Sequence, residues 1–178
     1  METIRHYIDL IEEAEDLYVY HGGTFSGGKY DPAKVGEPGK LRPLGKGIYA
    51  GESPAHAQRY LQYAGPNGTV KKFRVSPSAK LYPWGHYSWK ELSTADQEWW
   101  RNKSDEVQSA FEKAGKVRFR QHDKTYAPWQ DVVSGMSGFW TDDVRKLLIS
   151  VGIDGAKQVL QGGMIEYVFY NTSVLTLV

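Results

Sequence analysis

Short β-type runs lie near both ends of this chain with helical segments between them, and this arrangement limits the possible folds most. Alternating apolar and polar residues, bounded by glycine or proline, are typical of half-buried strands. They predict strands over Leu17 to His21, Gly47 to Ala50, Thr69 to Val75, Lys116 to Gln121, Gly155 to Leu160, Glu166 to Tyr170 and Val174 to Val178. Strands grouped at the two ends, with helices interleaved, favour an α+β fold.

The helices are predicted from their caps and from the spacing of apolar residues. Ser53 followed by Pro54 indicates an N-cap and a first helical turn, and this helix is expected to reach about Tyr63. The other predicted helices are Ile4 to Ala14, one opened by a capping box at Thr94 and Gln97 and running through Trp99 and Trp100, Ser104 to Ala114, and one capped at Thr141 that runs through Val151.

Length and composition restrict both the architecture and the function. The 178 residues are enough for a single domain with a full core, so we predict one domain over residues 1–178. Lys and Arg number 22 and Asp and Glu 21, so no global charge directs the chain to nucleic acid or to an anionic membrane. The chain has no cysteine, which excludes disulfides and thiolate chemistry.

Location and metal binding are restricted in the same way. No apolar run approaches the roughly twenty residues that span a bilayer. The acidic segment Met1 to Asp16 lacks the apolar centre of a signal peptide, so a cytoplasmic location is expected. The five histidines share no ligand spacing with a carboxylate, so no metal site is expected.

Three short segments contain residue types that one reaction needs together. They are Tyr20-His21-Gly22, then Gly47-Ile48-Tyr49 with Tyr60 further on, and a strand that Glu166 opens. The bond between ribose and nicotinamide breaks through a transition state of oxocarbenium character, which negative charge near the sugar stabilises. A carboxylate supplies that charge, tyrosine rings stack on the flat nicotinamide, and a histidine binds the second ribose.

In this order, and with ten residues between Tyr49 and Tyr60, the segments resemble the H-Y-E type of ADP-ribosyltransferase, in its poly(ADP-ribose) polymerase and diphtheria-toxin-like branch. The resemblance implies the ADP-ribosyltransferase fold, a split two-sheet β core with peripheral helices. It also implies transfer of ADP-ribose from NAD, the co-substrate, to a macromolecular acceptor, either protein or nucleic acid. A single ADP-ribose is the expected modification, since nothing in the chain argues for a polymer.

The resemblance also assigns a role to each site residue. Glu166 is expected to stabilise the transition state and to orient or activate the acceptor. His21 and Gly22 are expected to position NAD, and Tyr49 and Tyr60 to enclose the nicotinamide.

The chain departs from the family pattern in three places. The family has Ser or Thr directly after the His-Gly pair, whereas Gly23 intervenes here and Thr24 is the candidate for the hydroxyl that binds NAD. Met164 stands two residues before Glu166, where arginine-modifying members carry Glu or Gln, so arginine specificity is not supported. Residues 76–140 have no counterpart in the family pattern, and we expect an insertion or a target-reading region there.

Other interpretations of the same residues remain open. Taken singly, His21 can be a structural histidine, Tyr49 and Tyr60 core aromatics, and Glu166 a surface residue. Water can replace the macromolecule as acceptor, which would make the protein an NAD glycohydrolase. The chain can also be a non-catalytic module that binds NAD, or nucleic acid through the basic and aromatic stretch from Arg118 to Trp129.

Two further motifs occur in the chain. Gly45-x-Gly47-x-x-Ala50 fits a Rossmann dinucleotide fingerprint, but no apolar strand precedes it, so that fold is not expected. Ile11-x-Glu13 in an acidic amphipathic segment resembles the leaders of proteins packaged into phage heads. A phage protein or bacterial effector that acts in a bacterial cytoplasm is the context this favours.

Overall fold

The structure, a computed structural model, describes residues 16–24, 44–62, 64–84, 92–115, 141–160 and 162–178. The strands in these ranges are β1 (Tyr18–Gly23), β2 (Ile48–Gly51), β3 (Thr69–Val75), β4 (Leu81–Trp84), β5 (Gly155–Val159), β6 (Ile165–Phe169) and β7 (Leu175–Leu177). The helices are α1 (Pro54–Leu61), α2 (Thr94–Lys113) and α3 (Asp142–Ser150), and a 3₁₀ turn (Thr172–Val174) precedes β7.

The seven strands form one mixed sheet in the order β4-β5-β6-β2-β1-β3-β7. β4 and β5 are parallel, and the other neighbours are antiparallel. The chain is therefore α+β, as predicted, and within the described ranges its strands belong to a single hydrogen-bonded sheet. The central contact between β1 and β2 is nevertheless narrow, because these strands pair at one register position only, Tyr20 with Gly51.

Two apolar clusters pack on opposite faces of the sheet. Along β2, Ile48 and Ala50 belong to one cluster, while Tyr49 packs against the other. The second cluster contains the apolar side chains of α2 and α3, including Phe111 and Leu148, both of which are buried. Successive side chains of β2 and β6 point to opposite faces of the sheet, so each face has its own apolar core. Tyr49 lies on the face that α2 and α3 cover.

Most of the predicted elements in the described ranges are confirmed. Ser53 caps α1, its hydroxyl oxygen accepting from the backbone N–H of His56 at 3.2 Å. Thr141 caps α3 in the same way, and Gly152 follows its C-cap with φ of 81°. These ends were predictable because a hydroxyl at the N-cap and a left-handed glycine at the C-terminus satisfy backbone groups that a helix leaves unpaired.

Two predictions in the middle of the chain were wrong. The N-cap of α2 is Ser93, and the predicted capping box at Thr94 is not formed: the Ser93 hydroxyl oxygen accepts from the backbone N–H of Asp96 at 3.1 Å. The two helices predicted on either side of residues 101–103 are one 20-residue helix. Neither Gly nor Pro interrupts this stretch, and four buried side chains along it, Trp100, Ser104, Val107 and Phe111, hold it against the core.

The strand β4 was not predicted from the sequence. It contains Pro83, which lacks a backbone N–H and lowers the strand signal of a short run. The position of β4 explains how the proline is tolerated, since β4 is the outermost of the described strands on its side of the sheet and edge strands accept proline.

Several predictions lie outside the described residues. They are the helix Ile4 to Ala14 with its Ile11-x-Glu13 triplet, the strand Lys116 to Gln121, and the stretch Arg118 to Trp129. Of the expected insertion over residues 76–140, β4 and α2 are described, and both contribute buried side chains to the core.

The burial of α2 predicts that this helix is required for folding. Phe111→Ala should lower the free energy of unfolding by about 3–5 kcal/mol, because it leaves a cavity in the core that α2 shares with the sheet. The exposed neighbour Ser109 provides the control, and Ser109→Ala should change stability by no more than about 0.5 kcal/mol. Urea unfolding followed by circular dichroism measures both, and equal effects would mean that α2 does not pack as described.

Candidate functional site

A row of residues that face the same way crosses the centre of the sheet. Gly51 of β2 lies opposite Glu166 of β6 and opposite Tyr20 of β1. Gln158 of β5 lies opposite Glu166 on its other side. Directly opposite residues on neighbouring strands share a face of the sheet. Glu166 therefore lies at the middle of the row, between an amide and a glycine.

The glycines of this region let α1 lie directly on β1 and β2. A Cβ atom on Gly22 would lie 2.2 Å from the carbonyl oxygen of Ala57, and one on Gly51 would lie 2.4 Å from Cγ of His56. Side chains at these two positions would push the helix away from the sheet. Because both are glycine, the last turn of α1 comes within reach of β6.

Tyr60, in that last turn, donates its hydroxyl hydrogen to Oε1 of Glu166 at 2.6 Å. This distance is typical of an O–H donor bonded to a carboxylate, and such bonds are stronger than those between neutral groups. Burial, followed by the hydrogen bond to Glu166 and its negative charge, raises the pKa of Tyr60 well above its usual range. Tyr60 is therefore a neutral, fixed donor at any physiological pH.

The second carboxylate oxygen of Glu166, Oε2, is the one that a ligand could bind. In the part of the chain that the structure describes, Tyr60 is the one side chain that hydrogen-bonds Glu166. The residue is partly exposed, so Oε2 can accept a hydrogen bond from a ligand. The carboxylate of Glu166 is therefore held in one orientation through Oε1, while Oε2 remains an acceptor for a ligand.

His21 and Tyr49 form a second pair beside the first. Nδ1 of His21 lies 2.6 Å from the backbone carbonyl oxygen of Tyr49. A carbonyl oxygen only accepts, so Nδ1 carries a proton and donates it to this oxygen. The phenol of Tyr49 donates to the carbonyl of Gly45 at 2.9 Å and accepts from the N–H of Leu44 at 3.1 Å. The backbone before β2 is thus tied to the Tyr49 ring.

The structure places the predicted residues on adjacent elements but not all on one face. Alternation along β1 assigns His21 to the face opposite Tyr20, whereas Glu166 shares the face of Tyr20 and Gly51. The imidazole bonds to the backbone of β2 next to the single position where β1 and β2 pair. His21 and Glu166 therefore lie on opposite faces of the sheet, although their strands are close neighbours in it.

The remaining predicted residues, Gly22 and Thr24, have structural contacts. Gly22 is the close-approach position under α1 described above. Thr24 donates its hydroxyl hydrogen to the carbonyl of Ala64 at 2.7 Å and is exposed. Its oxygen keeps acceptor capacity, but its direction is set by the turn that follows α1.

Two residues near the site were missed by the sequence analysis. His56, which is 5% exposed, packs its ring on that of Tyr60 with centroids 5.7 Å apart. Gln158 lies beside Glu166 in the row. Among the described residues, the buried side-chain polar atoms without a partner are Nδ1 of His56 and Oε1 of Gln158. The i, i+4 spacing of His56 and Tyr60 could have indicated the first, whereas Gln158 needs the strand register.

Two buried tyrosine hydroxyls form a hydrogen-bonded chain that ends at the backbone of Leu44, just before β2. Tyr170 donates to the carbonyl of Leu44 at 2.5 Å, and its oxygen lies 3.2 Å from that of Tyr82. Burial raises the pKa of both phenols. Next to this chain, Nζ of Lys46 lies 3.8 Å from a carboxylate oxygen of Asp142 at the start of α3. Hydrogen bonds from Arg145 and Lys146 lower the pKa of Asp142 to about 2, so this anion persists through the physiological range.

Metal binding and membrane insertion find no support in the described ranges. No group of three His, Cys, Asp or Glu side chains there could hold a metal ion. None of the helices over the same residues combines the length and the apolar character needed to cross a bilayer. Comparison of the chain with protein-family models, with curated proteins and with solved structures gives no match.

The raised pKa of Tyr60 predicts how stability depends on alkaline pH. The stabilisation from the neutral phenol is complete below the unfolded pKa of about 10 and is lost as pH rises toward the higher folded pKa. In that window such a tyrosine lowers the free energy of unfolding by about 1.4 kcal/mol per pH unit. Tyr60→Phe should remove that share of the slope in urea unfolding between about pH 10 and 11.5.

The exposed Gln58 on the same helix gives the matched control, and Gln58→Ala should leave the slope unchanged. Tyr82→Phe should also reduce the slope, since burial raises the pKa of that phenol too. A Tyr60→Phe slope equal to that of the unaltered protein would show that the phenol ionises as readily in the folded as in the unfolded chain.

Proposed function

We propose that this protein transfers ADP-ribose from NAD to a macromolecular acceptor, protein or nucleic acid, and releases nicotinamide. The observation that carries the proposal is the Glu166 carboxylate, which Tyr60 fixes at one oxygen and which keeps the other oxygen for a ligand. The order and spacing of His21, Tyr49, Tyr60 and Glu166 support it as well, since they match the H-Y-E pattern.

In the proposed reaction the bond between C1′ of the ribose and the pyridinium nitrogen of nicotinamide breaks. Both bonding electrons go to the nitrogen, so nicotinamide leaves neutral without a proton donor. Positive charge then develops on C1′ and the ring oxygen. The free oxygen of Glu166 accepts a hydrogen bond from a ribose hydroxyl, and its negative charge stabilises the developing cation. A nucleophile of the acceptor bonds to C1′ and loses its proton to water.

Fixation of the carboxylate by Tyr60 contributes to this reaction. A group that already points to where charge will develop needs no reorganisation during the reaction. The hydrogen bond of 2.6 Å from Tyr60 restricts rotation of the Glu166 side chain in the folded protein. The neutral phenol supplies this restraint without adding a competing charge.

The aromatic rings fit the flat leaving group. His56 stacks on the Tyr60 ring at an interplanar angle of 22°. In the H-Y-E pattern the two tyrosines, here Tyr60 on α1 and Tyr49 on β2, enclose the nicotinamide ring. In the H-Y-E pattern the histidine, here His21 on the face of the sheet opposite Glu166, binds a hydroxyl of the other ribose.

The proposal also covers the fold family and the cellular setting of the protein. The narrow pairing of β1 with β2 supports an ADP-ribosyltransferase fold, in which the sheet divides into two halves around the dinucleotide. Residues 76–140 then include the region that reads the target. The proposed setting is a bacterial cytoplasm, where a phage protein or bacterial effector meets both NAD and macromolecular acceptors.

Substitution of Glu166 tests the proposal. Glu166→Gln should lower the rate of nicotinamide release from NAD by roughly 10²–10³-fold, because removing one well-placed electrostatic group commonly has that effect. NAD should still bind, as measured by calorimetry, because the rings remain. The control Glu98→Gln removes an exposed carboxylate of α2 and should leave the rate unchanged.

Labelled NAD and a bacterial lysate distinguish the acceptor classes. Label on a macromolecule supports transfer, while free ADP-ribose as the sole product would make the protein a glycohydrolase. An unaltered rate of nicotinamide release in Glu166→Gln would overturn the assignment of Glu166. Tight RNA binding without any heat from NAD would favour a nucleic-acid-binding module.

A further inference from the structure

His56 lies where the first turn of α1 meets the centre of the sheet. The Ser53 cap fixes its backbone N–H, and its ring fills the space above Gly51 that a side chain would otherwise take. The ring is 5% exposed. Gly51 is the neighbour of Glu166 in the row, so the imidazole is buried next to the proposed catalytic carboxylate.

The hydrogen-bond directions around Tyr60 assign a tautomer to His56. Tyr60 gives its one hydroxyl hydrogen to Glu166, so its oxygen can only accept from His56. Nε2 of His56 lies 3.4 Å from that oxygen and must carry the hydrogen if the two are bonded. Nδ1 then holds a lone pair, and no described residue satisfies it.

A histidine kept only for packing does not explain this arrangement. A phenyl ring would fill the same space above Gly51 without burying a nitrogen that lacks a partner, and such burial is destabilising. The imidazole offers one thing that a phenyl ring lacks here, an N–H directed at the Tyr60 oxygen. A donor to that oxygen makes the hydroxyl a stronger donor to Glu166, because hydrogen bonds in a chain polarise one another.

We propose that His56 is a positioning residue, which rests on the proposed function of Glu166. It donates from Nε2 to the Tyr60 oxygen, holds the Tyr60 hydroxyl toward Oε1 of Glu166, and so keeps the other carboxylate oxygen directed at the ribose. His56 touches neither substrate nor reacting atoms in this scheme. Its effect passes through the Tyr60 hydroxyl alone.

Nitrogen-15 NMR of the imidazole tests the chain without any turnover. His56 in the unaltered protein should show the Nε2–H tautomer, and Tyr60→Phe and Glu166→Gln should each shift its Nε2 resonance. Gln58→Ala, on the exposed side of the same helix, should not. The Nδ1–H tautomer, or an Nε2 resonance indifferent to both substitutions, would overturn the proposal.

Kinetics of nicotinamide release test the consequence. His56→Phe should lower kcat about 3- to 10-fold with little change in KM, the size expected for loss of one modest hydrogen bond. His56→Gln, whose amide nitrogen can reach a similar position, should recover much of that loss. In a Tyr60→Phe background, His56→Phe should have no further effect, because the hydroxyl through which it acts is gone.

The outcomes separate this proposal from the proposed function. Independent, multiplying effects of His56→Phe and Tyr60→Phe would make His56 a packing residue and leave the role of Glu166 intact. If the unaltered protein releases no nicotinamide, the proposed function fails, and the NMR result alone decides whether His56 positions the Tyr60–Glu166 pair. Should His56→Phe not fold, the kinetics of His56→Gln and the NMR spectra of Tyr60→Phe and Glu166→Gln still decide whether His56 positions the pair.

Discussion

The close approach of α1 to the sheet is the constraint on which the site depends. Gly22 and Gly51 have no side chains where the helix crosses β1 and β2, and the space is taken by Ala57 and the His56 ring instead. A longer separation would carry Tyr60 away from β6 and break its bond to Glu166. Two positions that contribute no functional group therefore determine whether the carboxylate is fixed or mobile.

The site uses its surroundings to set protonation as well as distance. Burial keeps the Tyr60, Tyr82 and Tyr170 phenols neutral, so each acts as a donor or acceptor and never as a competing anion. By contrast, the partly exposed Asp142 is kept ionised by basic neighbours on its own helix. Glu166 has no cationic partner among the described residues, and this suits the proposed reaction, in which positive charge develops on a sugar.

The amount that could be predicted from sequence differs between elements for physical reasons. The helices capped by Ser53 and Thr141 were predictable because their signals are local: a hydroxyl bonds a backbone N–H three residues on. β4 was not, because its pairing with β5 joins residues about seventy positions apart and its Pro83 weakens the local pattern. The single long helix α2 was divided in the prediction because its polar middle lacks the periodic apolar signal.

The same distinction applies to the site. Tyr60 and Glu166 could be proposed together only through a motif resemblance, since their contact spans 106 positions in the chain. That Gln158 lies beside Glu166 could not be predicted before the register of β5 and β6 was known. The face on which His21 leaves β1 was likewise a matter of register, which motif order does not contain. The chemistry of the residues was predictable, whereas their orientation required the pairing of five strands.

The outermost strands of the described sheet bear on how it could pair with another copy. Exposed sheet edges can add strands from other chains, and short edge strands or prolines limit this. Among the described strands the outermost are β4, where Pro83 offers no N–H, and β7, which has three residues. Neither of these two strands presents a long ladder for another copy to extend. Unwanted strand pairing is therefore expected mainly before the distant strands of this sheet have paired during folding.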